Sequence, residues 1–204
     1  QLSAATPDDH EHGNGTFLRQ TTMDALATEK RIARALTADR AEAAYPSHRF
    51  AQSLRNVAAL IAAGISTRVY FVSLGGFDTH SRQANVHQQL LTTLSEGLSA
   101  FQHDLRARGL EGQVLTMTFS EFGRRPAENE SGGTDHGTAA PLFVMGSHVR
   151  GPLHGQAPSL QLDPRQDLTF STDFRAVYAT VLDRWLQCPS APVLGESFAP
   201  IPFV

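Results

Sequence analysis

The stretch RVYFVSLGGFDTH at residues 68–80 gives the clearest indication of fold class in this chain. Its first seven residues are rich in β-branched and aromatic side chains, and a glycine pair ends the run, which is typical of a buried strand. Similar apolar runs lie at 114–119 (VLTMTF) and 140–145. We therefore expect three strands, with a polar, glycine-rich loop over residues 120–138 between the last two.

Helical patterns flank these runs. They lie at residues 17–44, 50–64, 86–105 and 174–186, where apolar side chains recur at helical spacing. Thr172 or Asp173 is placed to cap the last helix. Since helices alternate with strands, we expect an α/β fold, a three-layer αβα sandwich whose sheet is mostly parallel. In this prediction residues 17–204 form a single domain, and residues 1–16 form a flexible segment before it.

The composition limits the classes of function. The 204 residues carry a net charge of −3, so bulk electrostatics favours neither nucleic acid nor an anionic membrane as a partner. A single cysteine, Cys188, excludes an internal disulfide and a cysteine-rich zinc site. No apolar run approaches the roughly 20 residues that a membrane span needs. The sequence lacks a Walker loop and a G-x-G-x-x-G motif, which disfavours a nucleotide cofactor.

Carboxylate and imidazole side chains concentrate beside the predicted strands. Asp78 and His80 follow the first strand, Glu121 follows the second, and Asp135 and His136 precede the third. Glycine pairs beside them let the backbone approach a ligand closely. Because ligands in open α/β sheets bind beyond the carboxyl ends of strands, we expect these residues to converge. Asp, Glu and His suit zinc or manganese, so we predict that all five residues form a divalent-metal site. Such a site requires Asp78 and His136 to lie less than about 10 Å apart.

Less specific explanations of these residues stay open. A loop aspartate often caps a helix beside an exposed histidine, and either motif alone would fit that role. Thr79 and Ser120 are candidate nucleophiles, although no G-x-S-x-G motif supports a Ser-His-Asp hydrolase. Arg124 is suited to hold an anionic group, or equally to form a surface ion pair. His103 and Asp104 are expected on a solvated helix face.

Four segments resemble a bacterial family catalogued as domain of unknown function 1501. They are GGFDTH at 75–80, TFSEFGRR at 118–125, ENESGGTDHGTAAPLFVMG at 128–146 and TDFRAVYATVLDRWL at 172–186. The resemblance covers nearly the whole chain from residue 17 onward. Members of this family are typically longer and carry an export signal. The resemblance therefore implies that this chain is the C-terminal portion of an exported, periplasmic protein.

The family in turn resembles the alkaline phosphatase and sulfatase superfamily, whose αβα core binds one or two divalent metal ions and hydrolyses phosphate or sulfate esters. This resemblance places Asp78 and His80 in a metal-binding stretch and His136 at a later metal-binding histidine. Glu121 takes the place of a strand-end aspartate. Phe122 takes the place of the histidine beside it, which speaks against a second metal ion. The resemblance implies zinc, manganese or calcium as the metal.

Three hypotheses of function follow. The first is a metal-dependent hydrolase of phosphoric or sulfuric esters, acting on a small-molecule or polymer-borne anionic ester. In it, a metal ion at Asp78, His80 and His136 polarises the ester, with Glu121 or Asp135 at or beside the ion. Arg124 neutralises the non-bridging oxygens. The second is a non-catalytic binding or assembly protein that keeps the hydrolase fold, which Phe122 and the lack of a matching nucleophile segment favour. The third is a structural domain without a site. We place the first hypothesis first for the family-length protein and expect this chain alone to be inactive.

Overall fold

The computed structural model describes residues 8–151, 153–163 and 166–204. Its helices are α1 (Asp8–Ala38), α2 (Arg49–Ala62), α3 (Gln83–Ala107), α4 (Phe174–Thr180) and α5 (Ala191–Leu194), with a 3-10 turn at Glu111–Gln113 and a π-helical turn at Val181–Trp185. Its strands are β1 (Thr116–Met117), β2 (Gly123–Glu128), β3 (Thr134–Gly137) and β4 (Val144–Met145). Within the described ranges, no helix has the length and apolar character needed to cross a membrane.

The predicted helices are present, and capping side chains explain where two of them begin. α1 begins at Asp8, before the predicted start at residue 17, while residues 1–7 of the expected flexible segment lie outside the described part of the chain. His48 caps α2, since its Nδ1 accepts a hydrogen bond from an amide of the first turn. Asp173, one of the two predicted caps, accepts the equivalent hydrogen bond at the start of α4.

The hydrophobic core lies between α2 and α3. Its buried residues are Phe50, Leu54, Ala58, Phe101 and Leu105. Gly97 allows the two helices to approach closely, since a Cβ at that position would lie 2.8 Å from the Phe50 ring. Val72 and Leu74, from the first predicted strand, pack against this core. The core therefore holds residues 68–74 in place without strand pairing.

A buried polar network connects the segment after α1 to α3. The carboxylate of Asp104 is fully buried and accepts hydrogen bonds from the amide of Glu42, at 2.8 Å, and from the hydroxyl of Tyr45, at 3.0 Å. The guanidinium of Arg108 contacts Asp104 at 2.9 Å and Asp39 at 2.8 Å. Burial and the hydrogen bond to Asp104 raise the pKa of Tyr45 above its ordinary value of 10.0. The prediction that Asp104 lies on a solvated helix face is wrong.

The expected three-layer αβα sandwich with a mostly parallel sheet is also wrong. The chain is 44% helical, and the described residues contain two small sheets, each of two antiparallel strands. In the first, β1 pairs with β4 so that Thr116 lies opposite Met145. In the second, β2 pairs with β3, with an irregular register between Arg124 and Glu128.

The chain reversal between β2 and β3 explains the antiparallel arrangement. Residues 120–138, predicted as a loop, contain this hairpin, so the apolar runs on either side of it meet in opposite directions. Residues 68–74 pair with no strand among the described residues, and Val69 and Phe71 are exposed. Periodicity indicates which side chains are buried but not which strands pair, and the parallel sheet was inferred from periodicity.

Candidate metal centre

Three of the predicted ligands meet at the junction between the loop after residue 74 and the β2–β3 hairpin. Asp78 Oδ1 lies 2.7 Å from His136 Nε2 and 2.9 Å from His80 Nε2. The two Nε2 atoms are 3.2 Å apart. Among the described residues, these three form a group whose ligand atoms can share one ion. The distance between Asp78 and His136 thus meets the requirement set by the sequence.

This triangle of atoms can hold protons or a shared cation. An imidazole nitrogen carries either a proton or a lone pair. If both Nε2 atoms carry protons, both N–H groups donate to the same oxygen of Asp78. If one Nε2 carries a lone pair, that lone pair faces the lone pairs of the carboxylate oxygen. A shared cation would accept a lone pair from each of the three atoms.

The size of the triangle fits a first-row divalent ion. Metal–ligand distances of about 2.0–2.2 Å imply separations of roughly 3.3 Å between ligand atoms in a tetrahedral site and roughly 3.0 Å in an octahedral one. The three observed separations are 2.7, 2.9 and 3.2 Å. The side chains of Asp78, His80 and His136 are 64%, 48% and 46% exposed. Further coordination positions would therefore be open to water or substrate.

Asp135 lies on the other side of His80. Its Oδ1 is 3.7 Å from Nδ1 of His80, whereas Nε2 of the same ring faces Asp78. Asn129 donates from Nδ2 to Asp135 Oδ1, at 3.3 Å, and to the carbonyl of His80, at 3.0 Å. The structure thus brings Asp135 to His80 but places it outside the triangle of candidate ligands.

Phe122 and Arg124 lie beside His136. The Phe122 ring stacks on the His136 ring, with centroids 4.0 Å apart and an angle of 10° between the planes. The guanidinium of Arg124 lies 5.0 Å from the Phe122 centroid and 3.8 Å from Asp78 Oδ1. Its two terminal nitrogens also donate to backbone carbonyls, one in the loop and one in β3. Arg124 therefore joins the loop to the hairpin while keeping its positive charge beside the centre.

A second set of contacts, which we call the clasp, fastens the hairpin turn at residues 129–133 to residues 80–83. Two amides at the start of α3 donate to carbonyls of the turn, at 3.0 and 2.8 Å. One belongs to Arg82, whose φ of 44° is a left-handed conformation that non-glycine residues rarely adopt. Gly133 packs on His80, since a Cβ there would lie 2.3 Å from the carbonyl carbon of His80. This glycine lets two protein segments approach each other, whereas the sequence suggested the approach of a ligand.

The remaining predicted site residues lie outside the triangle. Glu121 is exposed and does not belong to the ligand group found among the described residues. Thr79 is buried, and its hydroxyl accepts a hydrogen bond from Gln83 at 2.8 Å, which attaches the loop to α3. Ser120 donates to a nearby backbone carbonyl. Asn129 and Gln83 were not predicted from the sequence. For Asn129, the signal was its place two residues before Ser131-Gly132-Gly133, a turn-forming combination.

The electrostatic environment keeps Asp78 available as a ligand. Its hydrogen bond with His136 is the main cause that lowers the pKa of the carboxyl below the ordinary value of 3.8. Partial desolvation opposes this shift, and the charge of His80 supports it. The carboxylate is therefore ionised at neutral pH, which is the form that binds a cation.

These features define a helix-rich protein with two short antiparallel ladders and a candidate metal centre of one carboxylate and two imidazoles. The chain belongs to the family described as "Protein of unknown function (DUF1501)", which matches residues 9–185. The predicted family membership is confirmed. No curated protein and no solved structure matches the chain.

Proposed function

We propose that this chain binds one divalent metal ion at Asp78, His80 and His136, and that the centre serves the hydrolysis of an anionic ester. The observation that carries the proposal is the convergence of three lone-pair donors at separations of 2.7–3.2 Å. Ligand atoms this close together can share one cation. Two imidazoles and one carboxylate favour zinc or manganese over calcium, which prefers oxygen ligands.

A bound divalent ion would polarise an ester and lower the pKa of a coordinated water molecule. The protein's own residues would orient and attract the substrate. The positive charge of Arg124, held 3.8 Å from Asp78, would draw an anionic group toward the open side of the centre. Glu121 stays the proposed catalytic carboxylate. We propose phosphate or sulfate esters as substrates, and export of the family-length protein, on the resemblance to the alkaline phosphatase and sulfatase superfamily alone.

Metal analysis and ester hydrolysis together test this proposal. The purified 204-residue chain and the family-length protein would be titrated with Zn²⁺, Mn²⁺ and Ca²⁺ and assayed on aryl phosphates and aryl sulfates. We expect one equivalent of zinc or manganese to bind to both, and hydrolysis only by the family-length form. His136→Ala should abolish metal binding. His103→Ala, which changes an exposed histidine away from the centre, is the matched control. Binding that survives His136→Ala unchanged would refute the centre.

A non-catalytic binding protein is the second candidate, and the exposure of the centre favours it. Hydrolases generally exclude bulk water from the reacting groups, whereas Asp78 is 64% exposed. In this alternative, the metal ion bridges the protein to an anionic polymer. A family-length protein that hydrolyses neither ester class, yet retains a polymer in a metal-dependent manner, would favour binding over catalysis.

A further inference from the structure

His80 faces an acidic group with each of its two ring nitrogens. Nε2 is 2.9 Å from Asp78 Oδ1, and Nδ1 is 3.7 Å from Asp135 Oδ1. Asp78 and Asp135 therefore compete for the proton of this ring, since a carboxylate favours a proton on the nitrogen that it faces. The tautomer with the proton on Nδ1 leaves a lone pair on Nε2, directed at the triangle of candidate ligands. Asp135 favours this tautomer, which is the form that coordinates a metal ion through Nε2, against the closer Asp78.

Asn129 fixes the position of the Asp135 carboxylate. Its Nδ2 donates both to Asp135 and to the carbonyl of His80. Its Oδ1 accepts hydrogen bonds from the amides of Ser131 and Gly133, at 3.0 and 3.1 Å. The Asn129 amide is thus anchored in the hairpin turn on one side and directs its donor at Asp135 on the other. Since Asp135 is 56% exposed, this contact restricts a side chain that solvent would otherwise leave free to rotate.

We propose that Asp135 is a positioning residue, which shifts the tautomer of His80 toward Nδ1–H and orients the ring without binding the ion, and that Asn129 holds Asp135 in place. This inference rests on the proposed metal centre, and it changes the role that the sequence predicted for Asp135. A ligand must approach the ion from the Nε2 side of the His80 ring, whereas Asp135 lies on the Nδ1 side. Carboxylates that contact the second nitrogen of a ligating histidine typically change metal affinity by about 10–100-fold.

The test compares the wild-type chain with Asp135→Asn and with the matched control Glu130→Gln. Both substitutions remove one negative charge from the same hairpin, but Glu130 is an exposed turn residue. Zinc affinity is measured by competition with a chromophoric chelator. The tautomer of His80 is measured by ¹⁵N NMR of the metal-free protein. We expect Asp135→Asn to weaken zinc binding about 10–100-fold and to reduce the Nδ1–H tautomer, with no change in melting temperature. Glu130→Gln should change none of these values.

Each other outcome contradicts the proposal in a distinct way. Equal weakening by both variants would show a general effect of charge. A loss above about 100-fold, with the His80 tautomer unchanged, would make Asp135 a ligand. Wild-type affinity and tautomer in Asp135→Asn would leave Asp135 without a role. If the wild-type chain binds no metal, the proposed function fails, while the tautomer of the metal-free protein still decides whether Asp135 orients His80.

Discussion

Asp78 is the residue through which the candidate centre is assembled. Its Oδ1 contacts the Nε2 atoms of both histidines, and the guanidinium of Arg124 approaches the same oxygen at 3.8 Å. One carboxylate oxygen therefore lies beside two imidazoles and one guanidinium. Its negative charge offsets that of Arg124 and would attract a metal ion that the two imidazoles can also bind.

Replacement of Asp78 by asparagine should lower metal affinity without lowering the stability of the fold. Asp78→Asn keeps the size of the side chain but replaces an anionic ligand by a weakly coordinating amide. We expect zinc affinity to fall by at least about 100-fold. Loss of a ligand should lower the affinity more than loss of a residue that only orients a ligand, which typically costs about 10–100-fold. The melting temperature of the metal-free protein should stay close to that of the wild type, since the side chain is exposed. Asp163→Asn, at another exposed carboxylate, is the control. Zinc affinity that matches the wild type in Asp78→Asn would exclude Asp78 as a ligand.

The sequence was sufficient to select Asp78, His80 and His136, because polar residues beside apolar runs stand out in the pattern. It was not sufficient to identify their partners. Asn129 reaches His80 across 49 positions of sequence, and the stacking of Phe122 on His136 depends on how β2 pairs with β3. Such contacts follow from hairpin geometry, which residue types alone do not determine.

At the scale of elements, the clasp sets the distance between His80 and His136. A Gly133→Ala substitution would place a Cβ 2.3 Å from the backbone of His80, which has no side-chain rotation to relieve the overlap. We expect the free energy of unfolding to fall by about 1–3 kcal/mol and zinc binding to weaken. Gly75→Ala is the matched control near the centre, since a Cβ there meets nothing within 4 Å. Urea unfolding measures both variants, and equal stability of the two would contradict the close packing of the clasp.

The start of α4 provides a pH-dependent contribution to stability. Asp173 accepts hydrogen bonds from the amide and the guanidinium of Arg175, at 2.8 and 2.7 Å, and these lower its pKa below the ordinary value of 3.8. A carboxyl whose pKa is lower in the folded state stabilises that state above its unfolded pKa, and the effect disappears as pH falls through the folded pKa. Asp173→Asn should therefore lower the melting temperature at about pH 6, and its difference from the wild type should shrink as pH falls below 3.8. A difference that does not change with pH would contradict the assigned cap and ion pair.

At the scale of the whole molecule, helices were predictable and strand pairing was not. Apolar side chains recur at helical spacing in the sequences of α2 and α3 because one face of each helix packs into a shared core. The apolar runs at 114–119 and 140–145 look alike whether they pair in parallel or antiparallel, and the hairpin between them decides the direction. That hairpin carries mostly polar residues, so no alternation of apolar and polar side chains marks its strands.

The buried network around Asp104 joins the segment after α1 to α3. Asp104→Ala would leave Arg108 buried without its main partner and the amide of Glu42 without an acceptor. We expect a loss of about 3–5 kcal/mol in the free energy of unfolding. Tyr45→Phe, which removes one hydrogen bond, should cost about 0.5–1.5 kcal/mol and reports on the network if Asp104→Ala fails to fold. His103→Ala changes the exposed neighbour and should have little effect.

The same variants test whether the core and the candidate metal centre are energetically separate. None of the residues in the Asp104 network contacts the triangle of Asp78, His80 and His136 among the interactions described. Tyr45→Phe should therefore lower stability in urea while zinc affinity, measured well below the melting temperature, stays at the wild-type value, since distant sites usually act independently. A parallel loss of zinc affinity would show that the contact between α3 and the segment after α1 also determines the geometry of the loop that carries Asp78.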